Sequence, residues 1–136
     1  MEEKFMRAAL KQAQIAFNKG DVPVGAVIVK DSKIIAKAYN RREQTNDSTD
    51  HAEIIAIKKA CKHLKDWRLN GCVMYVTLEP CSMCMGAIQQ SRITKVVYGT
   101  ENTNDSENQM PFISGPILEN DCAQLLKTFF QNRRKS

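Results

Sequence analysis

From Glu3 to Lys19, apolar side chains at Phe5, Ala8, Ala9, Ile15 and Ala16 alternate with charged ones at the period of a helix with one buried face, and Gly20 and Pro23 stop it. Val24 to Val29 and Ile34 to Tyr39 are β-rich runs separated by Asp31-Ser32, the pattern of a hairpin. Asn40 to Asp50 holds almost nothing apolar and reads as a surface loop. His51 to Leu64 is helical, Val73 to Leu78 a strand, Cys81 to Gln90 helical and Val96 to Tyr98 a short strand. Phe112-Ile113 then forms a brief edge strand, and Asn120 to Asn132 closes the chain as a helix with Leu125, Leu126, Phe129 and Phe130 at helical spacing. The order αββαβαβ(β)α predicts an α/β protein, a three-layer α/β/α sandwich around one mixed sheet of about five strands.

The 136 residues fit a single domain, 1–136, able to bury a core without disulfide staples. The one shift in composition, Glu101 to Gln109, reads as a loop because an apolar run and a helix follow it. Apolar runs such as Val24 to Val29 fall far short of the roughly 20 residues a membrane span needs, and no export signal opens the chain. A cytoplasmic protein without membrane contact is expected. Five cysteines, an odd number at irregular spacing, argue against a disulfide scaffold. Cys61, Cys72 and Cys122 read as small buried hydrophobes, and His63 as a cation at the polar end of a helix. The net charge of +5 suits a polyanionic partner without demonstrating one. Lys58, Lys59, Lys62 and Lys65 along one helix, and Arg133, Arg134 and Lys135 at the end, read equally well as a solvated face and as nucleic-acid contacts.

Chemistry concentrates in two segments, His51-Ala52-Glu53 and Pro80-Cys81-Ser82-Met83-Cys84. One imidazole and two thiols leave a tetrahedral metal with an open corner, the arrangement of catalytic zinc, whereas structural sites are closed by four protein ligands. Both segments fall where a helix begins, and there backbone N–H groups favour thiolates. Cys81 and Cys84, three apart, share a helix face. A lone C-x-x-C also suits redox chemistry or half a structural zinc site, but here Glu79-Pro80 precedes it and H-x-E lies upstream, which together match the established zinc-deaminase signature. Glu53 has two readings. With Asp50 it nearly forms a capping box, in which it would merely reach back to the helix start. As a carboxylate that is not a zinc ligand, it would instead take the water proton, pass it to a ring nitrogen of the base and later protonate the departing amine, with ammonia released.

Beyond these motifs, Val22-Pro23-Val24-Gly25-Ala26-Val27, Asn40, Thr77-Leu78-Glu79-Pro80-Cys81-Ser82-Met83-Cys84-Met85-Gly86-Ala87, Ser91-Arg92-Ile93 and Cys122 to Phe130 resemble the bacterial tRNA-specific adenosine deaminases of the cytidine deaminase superfamily. The resemblance implies a cytidine deaminase-like fold and a homodimer converting adenosine to inosine in the tRNA anticodon loop, at the wobble position. It implies one Zn²⁺ per chain on His51, Cys81 and Cys84, with Glu53 as proton shuttle. It further implies that Asn40 and the Val22-Pro23 turn line the base pocket, with Asn102 at a position where the family often has Asp, and that Phe130 and the arginines after it lie against the RNA loop. The chain departs from the family at Asp50, where Ala is usual, and at Thr100 to Gln109, a clipped segment rich in Asn and acid in place of a longer Gly- and Lys-containing loop. Two other functions therefore stay open: a deaminase of free nucleobases or nucleosides such as guanine, cytosine or cytidine, and a non-catalytic zinc-stabilised RNA-binding subunit, against which Glu53 speaks.

Overall fold

The computed structural model describes residues 2–102 and 112–134, the last of these for its backbone alone. Helix α1 (Glu2–Asn18) leads to a hairpin of β1 (Gly25–Lys30) and β2 (Lys33–Tyr39). Asp31 and Ser32 both adopt positive φ, 51° and 62°, which gives the two-residue turn the twist that strands demand. A one-turn helix α2 (Arg42–Thr45) interrupts what the polarity of Asn40 to Asp50 predicts as plain loop. Then follow α3 (Ala52–Leu64), β3 (Val73–Leu78), α4 (Ser82–Gln90), β4 (Lys95–Thr100), β5 (Ile113–Ser114) and α5 (Glu119–Arg134). The sheet runs β2-β1-β3-β4-β5, with β1 antiparallel to β2 and β3 and the last two pairings parallel. The architecture is the three-layer α/β/α sandwich on a mixed five-stranded sheet that the element order predicts. Strand β4 is longer than Val96 to Tyr98 because Gly99, ordinarily a strand breaker, is needed there: a Cβ at that position would collide with the Cys122 sulfur of α5.

The pleat divides the central strands between two cores, which is why they read as unbroken apolar runs rather than alternating ones. Ala26, Ile28, Met74, Val76 and Val96 face α3 and α4, while Val27, Val29, Tyr75 and Val97 face α1 and α5. Helix α3 lies on its face of the sheet through Ala52, Ala56 and Ala60, spaced four apart and fully buried. Cys72 and Cys122 are buried packing residues, and Cys61, half-buried, directs its thiol to the Trp67 carbonyl. His63 sits exposed in the last turn of α3. Of the lysines on that helix, Lys59 is tied to the Lys37 carbonyl at 2.8 Å. No helix among the described residues is long and apolar enough to cross a membrane.

Candidate active site

Strand direction brings the chemistry together. Because β1 is antiparallel to both neighbours, β2 and β3 point the same way, and β4 follows β3. The carboxyl ends of β2, β3 and β4 and the start of β1 therefore share one rim of the sheet, where α/β folds place their ligands. The chain leaves β2 for Asn40, Arg42 and the start of α3, leaves β3 for Glu79 and the start of α4, and leaves β4 for Asn102. His51 and Cys81 are the N-cap residues of α3 and α4. Both have extended backbone, with φ near −73° and −72°, so each side chain is presented at a helix mouth rather than along its flank.

His51, Cys81 and Cys84 offer one ligand atom each, all within 4.8 Å of one another. The His51 Nδ1 lies 3.8 Å from the Cys81 sulfur and 3.6 Å from that of Cys84. Zinc bonds of about 2.3 Å to sulfur and about 2.0 Å to nitrogen, at a tetrahedral angle, put those atoms about 3.5 Å apart, so the donor set and its spacing fit that ion. Electrostatics point the same way. Cys81 is pushed down to about 4 by hydrogen bonds from Cys84 and His51, whereas Cys84 is pushed up because its proton serves Cys81 and because it is buried. His51 is raised by the Cys81 sulfur. The protons held on Cys84 and His51 thus face the Cys81 sulfur in one small volume, the condition that a divalent cation relieves by displacing them.

Glu53 stands beside this triangle, 3% exposed, and burial pushes its carboxyl up to about 7. The carboxyl takes a hydrogen bond from its own backbone N–H, yet Oε1 has no partner although it is buried. The capping-box alternative fails on geometry. The N-cap is His51, not Asp50, and the His51 N–H donates to the Thr49 carbonyl at 2.8 Å, which leaves nothing for Glu53 to reach back to. Asn40 caps α3 instead: its Oδ1 accepts the Ala52 N–H at 2.7 Å. Asp50 has a local task, accepting the Thr45 hydroxyl at 2.6 Å and so closing the α2 segment.

A cavity of about 110 Å³ opens onto these groups, lined by Val22, Val24, Asn40, Arg42, His51, Glu53, Leu78, Glu79, Cys81 and Asn102. Larger grooves lie between α1 and α5 and beside Trp67, but neither touches His51, Cys81 or Cys84. Of the pocket residues expected from the sequence, Val22, Asn40 and Asn102 line the cavity. Pro23 does not. It is fully buried at the apex of a tight turn in which the Val24 N–H donates to the Val22 carbonyl at 2.8 Å, while Val22 and Val24 on either side line the cavity. Phe130 is 45% exposed on α5, stacked edge-on against Phe129 and outside the cavity lining. The expected contribution of Thr100 to Gln109 lies mostly outside the described residues, apart from Asn102, whose N–H donates to Glu79 Oε1 at 3.1 Å.

The MafB19-like deaminase family model matches residues 1–134. A tRNA-specific adenosine deaminase of Bacillus subtilis (strain 168) is 42% identical over 148 residues, covering 98% of this chain and 91% of that relative. The chain belongs to the tRNA-specific adenosine deaminase family. It is a hydrolytic deaminase. A structure solved in work on A-to-I editing by tRNA:A34 deaminases at the wobble position superposes with a TM-score of 0.85 at 37% identity, covering 90% of this chain and 99% of that one. The guanine deaminase structure from Bacillus subtilis gives 0.72 at 36% identity, covering 98% and 94%.

Membership in this deaminase family also shows what sequence reasoning overlooked. Arg42, Leu78, Glu79 and Val24 line the cavity, although the sequence reading assigned none of them to the pocket. Glu79 could have been found, since it adjoins the Pro80-Cys81 signature and a buried acid needs a partner. Arg42 gave no signal, because its position depends on a helical turn that its polar surroundings conceal.

Proposed function

We propose that this chain removes the exocyclic amine of adenosine at the first anticodon position of tRNA, leaving inosine and releasing ammonia. One observation carries the catalytic part: Glu53, a buried carboxyl with an unpartnered oxygen, shares its cavity with the His51, Cys81 and Cys84 triangle. A purely structural metal site has no use for such a group. The RNA part is supported by the activity named for the Bacillus subtilis relative and for the tRNA:A34 deaminase structure.

One zinc ion per chain, held by His51, Cys81 and Cys84, would supply the Lewis acidity that lets water lose a proton near neutral pH. Glu53 would take that proton and give it to a ring nitrogen, then take the proton of the hydroxyl newly bonded to the ring carbon and deliver it to the leaving amine as the carbonyl forms. Asn40 Oδ1 is committed to the Ala52 N–H, so its amide nitrogen is the atom turned to donate to the base, and Val22, Val24 and Leu78 supply apolar walls that exclude water. The target nucleotide must be unstacked to enter, which suits a single-stranded loop. The chain is further proposed to act in the cytoplasm as a homodimer, with Met83 on α4, 41% exposed, among the apolar side chains a second copy would cover.

The test is ammonia release and inosine formation, followed by mass spectrometry, from an anticodon stem-loop RNA and from guanine, cytosine and cytidine. Turnover of the RNA that disappears in Glu53→Ala with zinc retained is the expected result. The similarity to guanine deaminase favours a second reading, and turnover confined to free bases would install it. Fully zinc-loaded protein that acts on neither, unchanged by Glu53→Ala, would mean a non-catalytic RNA-binding subunit.

A further inference from the structure

The mouth of the cavity carries a cation for which a pocket that recognises only a base has no use. Arg42 is exposed at the start of α2 and lines the cavity together with His51 and Glu53. Glu53 and Glu79 bring carboxyl groups to the same cavity. Among the described residues, no carboxylate forms an ion pair with the Arg42 guanidinium.

The segment that bears Arg42 is fastened from several sides. The Glu43 N–H donates to the buried carboxylate of Asp21 at 3.0 Å, and the Arg41 N–H donates to the Asp50 carbonyl at 3.0 Å. From α5, Arg133 donates to the Gly20 carbonyl at 3.3 Å and lies 3.7 Å from the Glu43 carboxylate. A single helical turn has no stability of its own, so these ties are what hold Arg42 at the rim. A fixed backbone leaves only the side chain of Arg42 to be ordered when it meets a ligand.

We propose that Arg42 pairs with the backbone phosphate beside the target nucleotide, selecting a nucleotide within a strand over a free base. The proposal rests on the RNA reading of the site. A neutral purine offers a guanidinium nothing to neutralise, whereas a nucleotide splayed from a loop brings a phosphate on either side. The acids lining the cavity would repel that phosphate. Arg42 offsets them with a planar fork that fits two phosphate oxygens at once.

The experiment uses zinc-loaded enzyme, a stem-loop RNA with adenosine first in the anticodon, and the same RNA carrying one methylphosphonate either 5′ or 3′ to that adenosine. Arg42→Ala should lower kcat/KM on the unmodified RNA about tenfold, chiefly through KM. It should also flatten the dependence of log kcat/KM on log salt by about 0.7 to 1. One of the two methylphosphonates should cost the parent a similar factor and cost Arg42→Ala almost nothing further. Arg42→Lys should restore the salt dependence but only part of kcat/KM. Zinc content and unfolding midpoint should match the parent, since the side chain is exposed. Losses that simply add for both methylphosphonates, or an unchanged salt dependence in Arg42→Ala, would overturn the assignment while leaving the RNA reading in place. A parent that deaminates free bases but neither RNA would overturn both.

Discussion

Burial of Glu53 has a consequence for stability that can be separated from catalysis. Its carboxyl is ordinarily half-protonated at 4.5 and is pushed up to about 7, first of all by burial. A raised carboxyl pKa means that the folded chain prefers the neutral form. Below pH 4.5 the group is neutral in both states and costs nothing; between 4.5 and 7 the unfolded chain ionises it while the folded chain resists, and the cost grows. At about 1.4 kcal/mol per pH unit the full cost above pH 7 is about 3 kcal/mol. Glu53→Gln keeps the shape and removes the titration. The prediction is that chelator-treated Glu53→Gln gains about 3 kcal/mol over chelator-treated parent at pH 8 relative to their difference at pH 4, a shift of about 1.5 M in urea midpoint for a slope of about 2 kcal/mol per M. Equilibrium urea unfolding of both proteins across that pH range is the assay. Comparison between the two pH values cancels any fixed cost of fitting the amide. Stability curves that run parallel from pH 4 to pH 8 would show that the site does not strain the carboxylate, and the argument for a proton carrier poised near neutrality would go with it.

Other outcomes follow from the same geometry. Cys81→Ala should lose both zinc and activity, whereas Glu53→Gln should keep zinc and lose at least about a hundredfold in rate, checked by metal analysis beside turnover. Zinc affinity should fall as the pH falls, because the Cys84 thiol is held protonated and His51 is raised, so the metal competes with protons at both; a chromogenic chelator titrated at pH 8 and pH 5.5 reads this directly. Asn40→Ala leaves the buried Ala52 N–H without its acceptor and should cost about 1–3 kcal/mol in denaturant unfolding as well as activity. Gly25→Ala would drive a methyl group into the Ala9 carbonyl and to 2.5 Å from the Ala13 nitrogen. Backbone cannot yield as a side chain does, so a loss of about 3 kcal/mol or more is expected, read as a fall in Tm of about 10 °C.

The layers, the element order and the clustering of three donor residues were legible because each depends on short-range pattern. Val24 to Val29 and Val73 to Leu78 look buried on both sides and are; His51, Cys81 and Cys84 look like three donors at helix starts and lie within 4.8 Å of one another. The one-turn helix α2 was not legible, since ties from Asp21, Asp50 and Arg133, distant in sequence or outside the turn, hold it rather than its own propensity. The cap of α3 was not legible for a related reason. Asp50 is adjacent in sequence, but Asn40 reaches the Ala52 N–H because β2 ends against the start of that helix.

Composition and spacing alone determined that this chain could hold a three-coordinate zinc ion with a carboxylate nearby, because ligand identity and helix-start geometry are local. Only the tertiary structure decided that Glu53 is buried enough to sit near pH 7, that Val22 and not Pro23 faces the cavity, and that Arg42 guards its mouth. Those properties depend on desolvation and on which side of the chain faces the sheet's rim, and both are set by segments far away in the sequence.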